Sequence, residues 1–270
     1  MPDLWTDLLA CLELSPADHP HETLAVFTGR NQRLTSPRLF GGQLLAQVIV
    51  AAALVTPGKA VKSLHVLFPR AGHAEEPVRY EAEIQHEGRS FATVTIVARQ
   101  SAGVVATASV SMHTLEDGRD HQSLPQVPAV LGPEHRVQLD LLPWETRSTA
   151  DLDSATAQPP EFELWMRTPL VNPAWAAALT AYATDLSLIG TALRPLDGLS
   201  QRDSGTAFTS AVTSHTLWFH RPFRTDQWLL LRQHAPLLAH GRGFGRGDVL
   251  TEDGALVASY AQEALVRFQS

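Results

Sequence analysis

The chain has 270 residues, 44% of them hydrophobic and 18% charged, enough for a large core in one large or two ordinary domains. Its net charge of -7 argues against a general nucleic-acid binder, which needs a basic surface to offset phosphate charge. The single cysteine, Cys11, excludes an intrachain disulfide and a cysteine zinc site and fits a reducing cytoplasm.

The opening Met1-Pro2-Asp3-Leu4-Trp5 lacks the basic and apolar regions of a signal peptide, and no transmembrane segment is expected. Residues 4–14 read as a short amphipathic helix, because Leu4, Leu8, Leu9, Cys11 and Leu12 recur at helical spacing. Ser15-Pro16-Ala17-Asp18 ends it, and His19 to Thr35 alternates weakly around Leu24, Val26 and Phe27, as a strand would. Arg38-Leu39-Phe40-Gly41-Gly42-Gln43 then opens an apolar run from Leu44 to Val55, with Gln43 and Gln47 its only polar side chains. A helix apolar on every face is wrapped by other structure, and this one, of about twelve residues, is too short to span a membrane. Pro57-Gly58 stops it. Gly41 and Gly42 allow other groups close to the backbone, and the unpaired N–H groups of a helix start suit an anion or a polarised carbonyl.

After Pro57-Gly58 the period changes to two. Strands are expected at Ser63–Arg70, Val78–Ile84, Ser90–Ala98 and Val104–His113, separated by turns at Ala71-Gly72, Glu87-Gly88 and Ser101-Ala102-Gly103. One helix followed by four hairpin-connected strands implies an antiparallel sheet with the helix on one face. From Glu116 to about Glu161 six prolines interrupt the chain, which reads as a linker packed partly on the surface. The first pattern then returns. Pro173 opens a helix carrying Trp175, Leu179, Tyr182, Leu186, Ile189 and Leu193, and strands follow at Ser214–His220, Gln227–Gln233, His240–Leu250 and Ala255–Phe268. Glu87-Gly88-Arg89-Ser90-Phe91 is echoed by His240-Gly241-Arg242-Gly243-Phe244, and Leu67-Phe68-Pro69-Arg70 by Trp218-Phe219-His220-Arg221. This is an internal duplication, and joining the two sheets edge to edge would cover strand edges that otherwise invite aggregation. The expected fold class is α+β, with an N-terminal repeat over 1–115, a linker over 116–161 and a C-terminal repeat over 162–270.

The runs Arg38–Gln43, Phe68-Pro69-Arg70-Ala71-Gly72 and Gly88-Arg89-Ser90-Phe91-Ala92 resemble the acyl-CoA thioesterase II family. So do Trp218-Phe219-His220-Arg221-Pro222-Phe223, Gly241-Arg242-Gly243-Phe244 and Leu256-Val257-Ala258-Ser259-Tyr260-Ala261-Gln262-Glu263, all in the family's order. The resemblance implies the double hotdog, a long helix wrapped by an antiparallel sheet twice in one chain. It implies hydrolysis of fatty acyl-CoA to free acid and CoA in the cytoplasm, without metal or cofactor, by an Asp, a Thr or Ser and a Gln that hold one water. The implied partner is the acyl-CoA substrate, with no nucleic acid and no membrane, in a homo-oligomer.

Carried over, the Asp falls at Asp185, whose neighbours Leu186 and Ile189 are apolar; such a setting should raise a carboxyl pKa and suit a general base. The Gln falls at Gln262, which by parity shares a face with Leu256, Ala258, Tyr260, Ala264, Val266 and Phe268. A lone amide there must find partners. The hydroxyl departs from the pattern: where the family has Ser/Thr-Leu-Asp-His, this chain has Val212-Thr213-Ser214-His215. Val212 cannot orient water. Thr213 points to the other face unless the strand bulges, and Ser214 keeps the face on regular alternation. Thr213 is taken as the catalytic hydroxyl, with Ser214 as its rival; Ser214, Gly41 and Gly42 are taken as substrate-binding residues, and no residue as a metal ligand.

His65 and His220 lie on expected strands and read as structural. The glycines around Arg242 and Arg246 lack the strand–loop–helix setting of a phosphate loop and fit a strand passing close to other structure. No Gly-x-Ser-x-Gly elbow or metal motif occurs. Two other classes remain: a double hotdog that binds an acyl thioester or another apolar ligand without cleaving it, favoured by Val212, and a hydratase or dehydratase. The latter needs a paired Asp and His, and the central helix offers no His close to Asp185.

Overall fold

The computed structural model describes residues 3–17 and 24–269; Asp18 and residues 19–23 of the strand expected from His19 fall outside them. The chain divides into two units, residues 1–120 with 177–182, and residues 121–176 with 183–270.

The first unit contains α1 (Leu4–Cys11), β1 (Ser15–Pro16), β2 (Leu24–Gly29), α2 (Gly41–Val55), β3 (Ala60–Leu67), β4 (Val78–Glu87), β5 (Phe91–Gln100) and β6 (Gly103–His113). Its strands are antiparallel neighbours in the order β1-β2-β4-β5-β6-β3. Strict alternation buries Ala92, Val94, Ile96 and Ala98 of β5 and Ala106, Ala108, Val110 and Met112 of β6. The alanines among them leave room for α2, which packs on this sheet. Each fully buried Val or Ile contributes about 1.5–3 kcal/mol. The two glutamines of α2 are buried as well, and hydrogen bonds offset their desolvation. Gln43 accepts from the Gln32 amide at 2.8 Å and donates to Asn31 Oδ1 at 2.9 Å. Gln47 donates to the carbonyls of Cys11 and Arg30 and accepts from the Tyr80 hydroxyl. The Tyr182 hydroxyl donates to Gln32 Oε1 at 2.7 Å, which ties residues 177–182 into the same network.

The second unit contains β7 (Arg136–Val137), β8 (Glu145–Arg147), β9 (Glu161–Arg167), the end of α3 (Ala176–Thr184), α4 (Leu188–Leu193), β10 (Phe208–Phe219), β11 (Leu229–Ala239), β12 (Arg242–Thr251) and β13 (Leu256–Phe268). Its strand order is β10-β13-β12-β11-β9-β8-β7. The duplication is visible in topology: β2-β4-β5-β6-β3 in the first unit has the same order as β9-β11-β12-β13-β10 in the second.

Strand β9 is absent from the sequence reading, for a physical reason. Phe162, Leu164, Trp165 and Met166 are all buried, so the strand does not alternate. Trp165 packs with Leu230 and Leu250 beneath Val127, Val130 and Leu131. Arg232 donates to the carbonyls of Pro125 and Gln126, holding that segment down. The helix expected through Leu193 is also two helices, because the chain breaks at residues 185–187 between α3 and α4. Residues 173–193 are long and apolar enough for a membrane span, but 83% of that window is buried inside the protein, as in a core helix.

Candidate active site

Strands β10 and β13 pair regularly up to Val212 opposite Ala264, and then the register shifts. Ser214 lies opposite Glu263 and His215 opposite Gln262, so Thr213 is the extra residue of a bulge. One inserted residue reverses the facing of everything after it. His215 and Leu217 therefore turn inward and are fully buried. Regular alternation had placed Ser214 on the face of Gln262; the bulge corrects this, because Ser214 shares its face with the half-exposed Glu263. Thr213 Oγ1 donates to the Glu263 carbonyl at 3.0 Å, satisfying a backbone group beside the irregularity.

Asp185 caps the C-terminus of α3 and is only 5% exposed. The break that follows is pinned from the sheet. Gln233 of β11 donates through Nε2 to Ser187 Oγ at 2.7 Å and to the Tyr260 hydroxyl at 2.8 Å. The Thr191 hydroxyl lies 2.8 Å from the Ser187 carbonyl oxygen and 3.1 Å from Gln233 Oε1. Leu188, which opens α4, sits where a side chain on Gly245 would be: a Cβ there would come within 2.6 Å of Leu188 Cδ2.

These elements meet at His215. Its Nδ1 is 2.9 Å from Gln262 Oε1 and 3.7 Å from Asp185 Oδ1, and its Nε2 is 3.1 Å from Thr184 Oγ1. The Tyr260 ring stacks alongside, with centroids 6.0 Å apart. Burial pushes the imidazole pKa down to about 4, against a weaker upward pull from the Gln262 hydrogen bond, so the ring is neutral at pH 7. The carboxamide nitrogen of Gln262 is buried and has no acceptor within reach among the described residues. A buried carboxylate and an amide donor converging in an apolar setting suit the activation of a neutral nucleophile next to developing negative charge.

Asp185 and Gln262 are thus brought together at His215, Ser214 shares its face with Glu263, and Thr213 stands at the bulge beside the Glu263 carbonyl. In the first unit, a Cβ on Gly42 would collide with the Tyr182 carbonyl and the Phe40 ring, so this glycine permits a close helix approach. His65 and His220 are exposed, as are Arg242 and Arg246, and Arg242 pairs with Glu263 at 3.3 Å. Sequence reasoning missed the contacts of Thr184, Ser187 and Gln233 and the inward placing of His215. The central helix carries no histidine near Asp185, but strand β10 supplies His215.

Residues 31–113 match the acyl-CoA thioesterase N-terminal domain, and residues 114–266 the acyl-CoA thioesterase C-terminal domain. The chain belongs to the acyl-CoA thioesterase II family. Acyl-CoA thioesterase 2 of Haemophilus influenzae is 29% identical, with 99% of each chain covered. Acyl-coenzyme A thioesterase 8 of Homo sapiens is 30% identical over 95% of this chain and 87% of its own. The solved acyl-CoA thioesterase II of Mycobacterium marinum superposes with a TM-score of 0.78 at 29% identity, covering 97% of this chain and 99% of that one. The α+β architecture is the double hotdog, and as a member of this family the chain is a thioester hydrolase acting on acyl-CoA.

Proposed function

We propose that this thioesterase cleaves fatty acyl-CoA with a water activated by Asp185 and oriented by Gln262. The observation that carries the reading is that a carboxylate and a carboxamide distant in sequence both lie within 3.7 Å of one imidazole nitrogen. Asp185 takes a proton from the water as its oxygen bonds to the thioester carbonyl carbon. Gln262 Nε2 donates to oxygen at the reacting centre. When the C–S bond breaks, the proton passes to sulfur, leaving a carboxylic acid and CoA thiol.

Thr213 remains the candidate hydroxyl of the mechanism, since donating to the Glu263 carbonyl leaves its oxygen lone pairs to accept from the water, and Ser214, on the face of Glu263, remains its rival. Gly41 and Gly42 remain the substrate-binding candidates of the first unit, since first-turn amides of a helix have no intrahelical acceptor. The acyl chain is assigned to an apolar channel in the C-terminal repeat. A homo-oligomer acting in the cytoplasm completes the reading, checked by sedimentation and by cell fractionation.

The test is release of free thiol from acyl-CoAs of several chain lengths. Asp185→Asn should lower kcat by about 10²–10⁴-fold, the range of a lost general base, with an unchanged melting temperature. Near wild-type turnover would remove Asp185 from the mechanism. Val212, standing where the family has a hydroxyl, favours a second reading, a non-cleaving binder of acyl thioesters; binding without thiol release would establish it. A hydratase reading is weak despite the Asp185–His215 approach, because both imidazole nitrogens are engaged and neither is left to take a substrate proton.

A further inference from the structure

We propose that His215 is a positioning residue that locks the Gln262 carboxamide with its NH2 group toward the reacting centre; this rests on the hydrolase reading above. A neutral imidazole donates from one nitrogen and accepts at the other, so two arrangements are open. In the first, Nδ1–H donates to Gln262 Oε1 and Nε2 accepts from the Thr184 hydroxyl. In the second, Nε2–H donates to Thr184 Oγ1, and Nδ1 accepts from a Gln262 amide turned end for end.

Asp185 decides between them. Its Oδ1 is 3.7 Å from Nδ1. In the second arrangement a nitrogen lone pair would face a carboxylate inside the protein, where little solvent screens the repulsion. In the first, an N–H faces it. The carboxylate therefore selects the tautomer, and the tautomer selects the amide orientation. Gln262 Oε1 is held at 2.9 Å, and Nε2, which has no acceptor among the described residues, is left to donate to substrate or water. The titratable side chains placed against the ring are Asp185 and Tyr260.

The bulge makes this pairing. Without Thr213 as an extra residue, Ser214 would stand opposite Gln262 and His215 would face the other way. Cross-strand neighbours directly opposite one another are close enough for their side chains to bond.

The experiment is a kinetic cycle on the full chain. His215→Phe keeps a ring of similar size and removes both nitrogens. It should lower kcat at least about 30-fold with KM within about threefold, the signature of an interaction made in the transition state. His215→Asn, which retains a donor near Nδ1, should recover about tenfold of that loss. The double variant His215→Phe/Gln262→Ala should be no slower than Gln262→Ala within about twofold, because residues acting as a unit are not additive. A folded His215→Phe protein within about twofold of wild type, or losses that multiply in the double variant, would overturn the proposal.

Nitrogen-15 NMR of the histidines in the wild-type protein gives a reading independent of both activity and variant folding. The expected ring proton is on Nδ1, with a shift toward the Nε2 form in Asp185→Asn; an Nε2 proton in wild type overturns the proposal. If wild-type protein releases no thiol, the hydrolase reading falls by itself, and the tautomer alone decides the orientation.

Discussion

A buried neutral histidine ties folding stability to pH. In the unfolded chain His215 titrates near the ordinary value of 6.5, whereas in the folded protein burial holds it near 4. Between those values the unfolded state binds a proton that the folded state refuses. Its contribution is therefore full above pH 6.5 and is lost as pH falls toward 4, in total about 3 kcal/mol. Urea unfolding at pH 7 and pH 5 should differ by about 2 kcal/mol from this residue, and His215→Phe should remove that part of the difference. An unchanged pH dependence in the variant would mean that the imidazole is not held neutral. At this scale Asp185 and Gln262 were reached through the resemblance to the family, with apolar neighbours in support. His215 was not, because its inward facing depends on a bulge that alternation cannot reveal.

Helix α4 and strand β12 show how an element places a side chain it does not carry. Gly245 faces inward without a side chain, and Leu188 occupies the space. Gly247 likewise leaves room for the Tyr260 ring. The glycine run that superficially looks like a phosphate loop is thus a packing surface, in line with its reading as a strand close to other structure. Gly245→Val would force Leu188 away, overpacking the contact by about 1–3 kcal/mol. Because Leu188 begins α4 just after the break, the displacement reaches Asp185; kcat should fall along with the melting temperature. Gly243→Ala is the control, since its Cβ would meet Ala192 only at an ordinary 3.5 Å. Equal effects of the two substitutions would show that the space over Gly245 does not position α4.

Across the whole molecule the duplication governs both the order of the strands and where the chain can be cut. Residues 177–182 of α3 belong with the first unit, held by Tyr182 on Gln32 and packed against Phe40 and Gly42. The second unit is therefore not contiguous in sequence. A fragment of residues 121–270 produced alone should be inactive and prone to aggregate, because this stretch of α3 would expose its apolar face. Production together with residues 1–120 should restore thiol release, and full activity of the single fragment would show that α3 needs none of those partners.

By itself the sequence determined what periodicity and composition can encode, two helix-and-sheet repeats and a buried central helix, while its resemblance to the family pointed to the carboxylate and the carboxamide. Only the tertiary structure decided the existence of β9, whose burial on both faces erases alternation, and the helix break at residues 185–187, where Gln233 bonds Ser187 from the sheet. It also decided which imidazole meets Gln262. Facing on a strand is a count of residues from the nearest irregularity, and the bulge at Thr213 is set by pairing with another strand rather than by the local run of side chains.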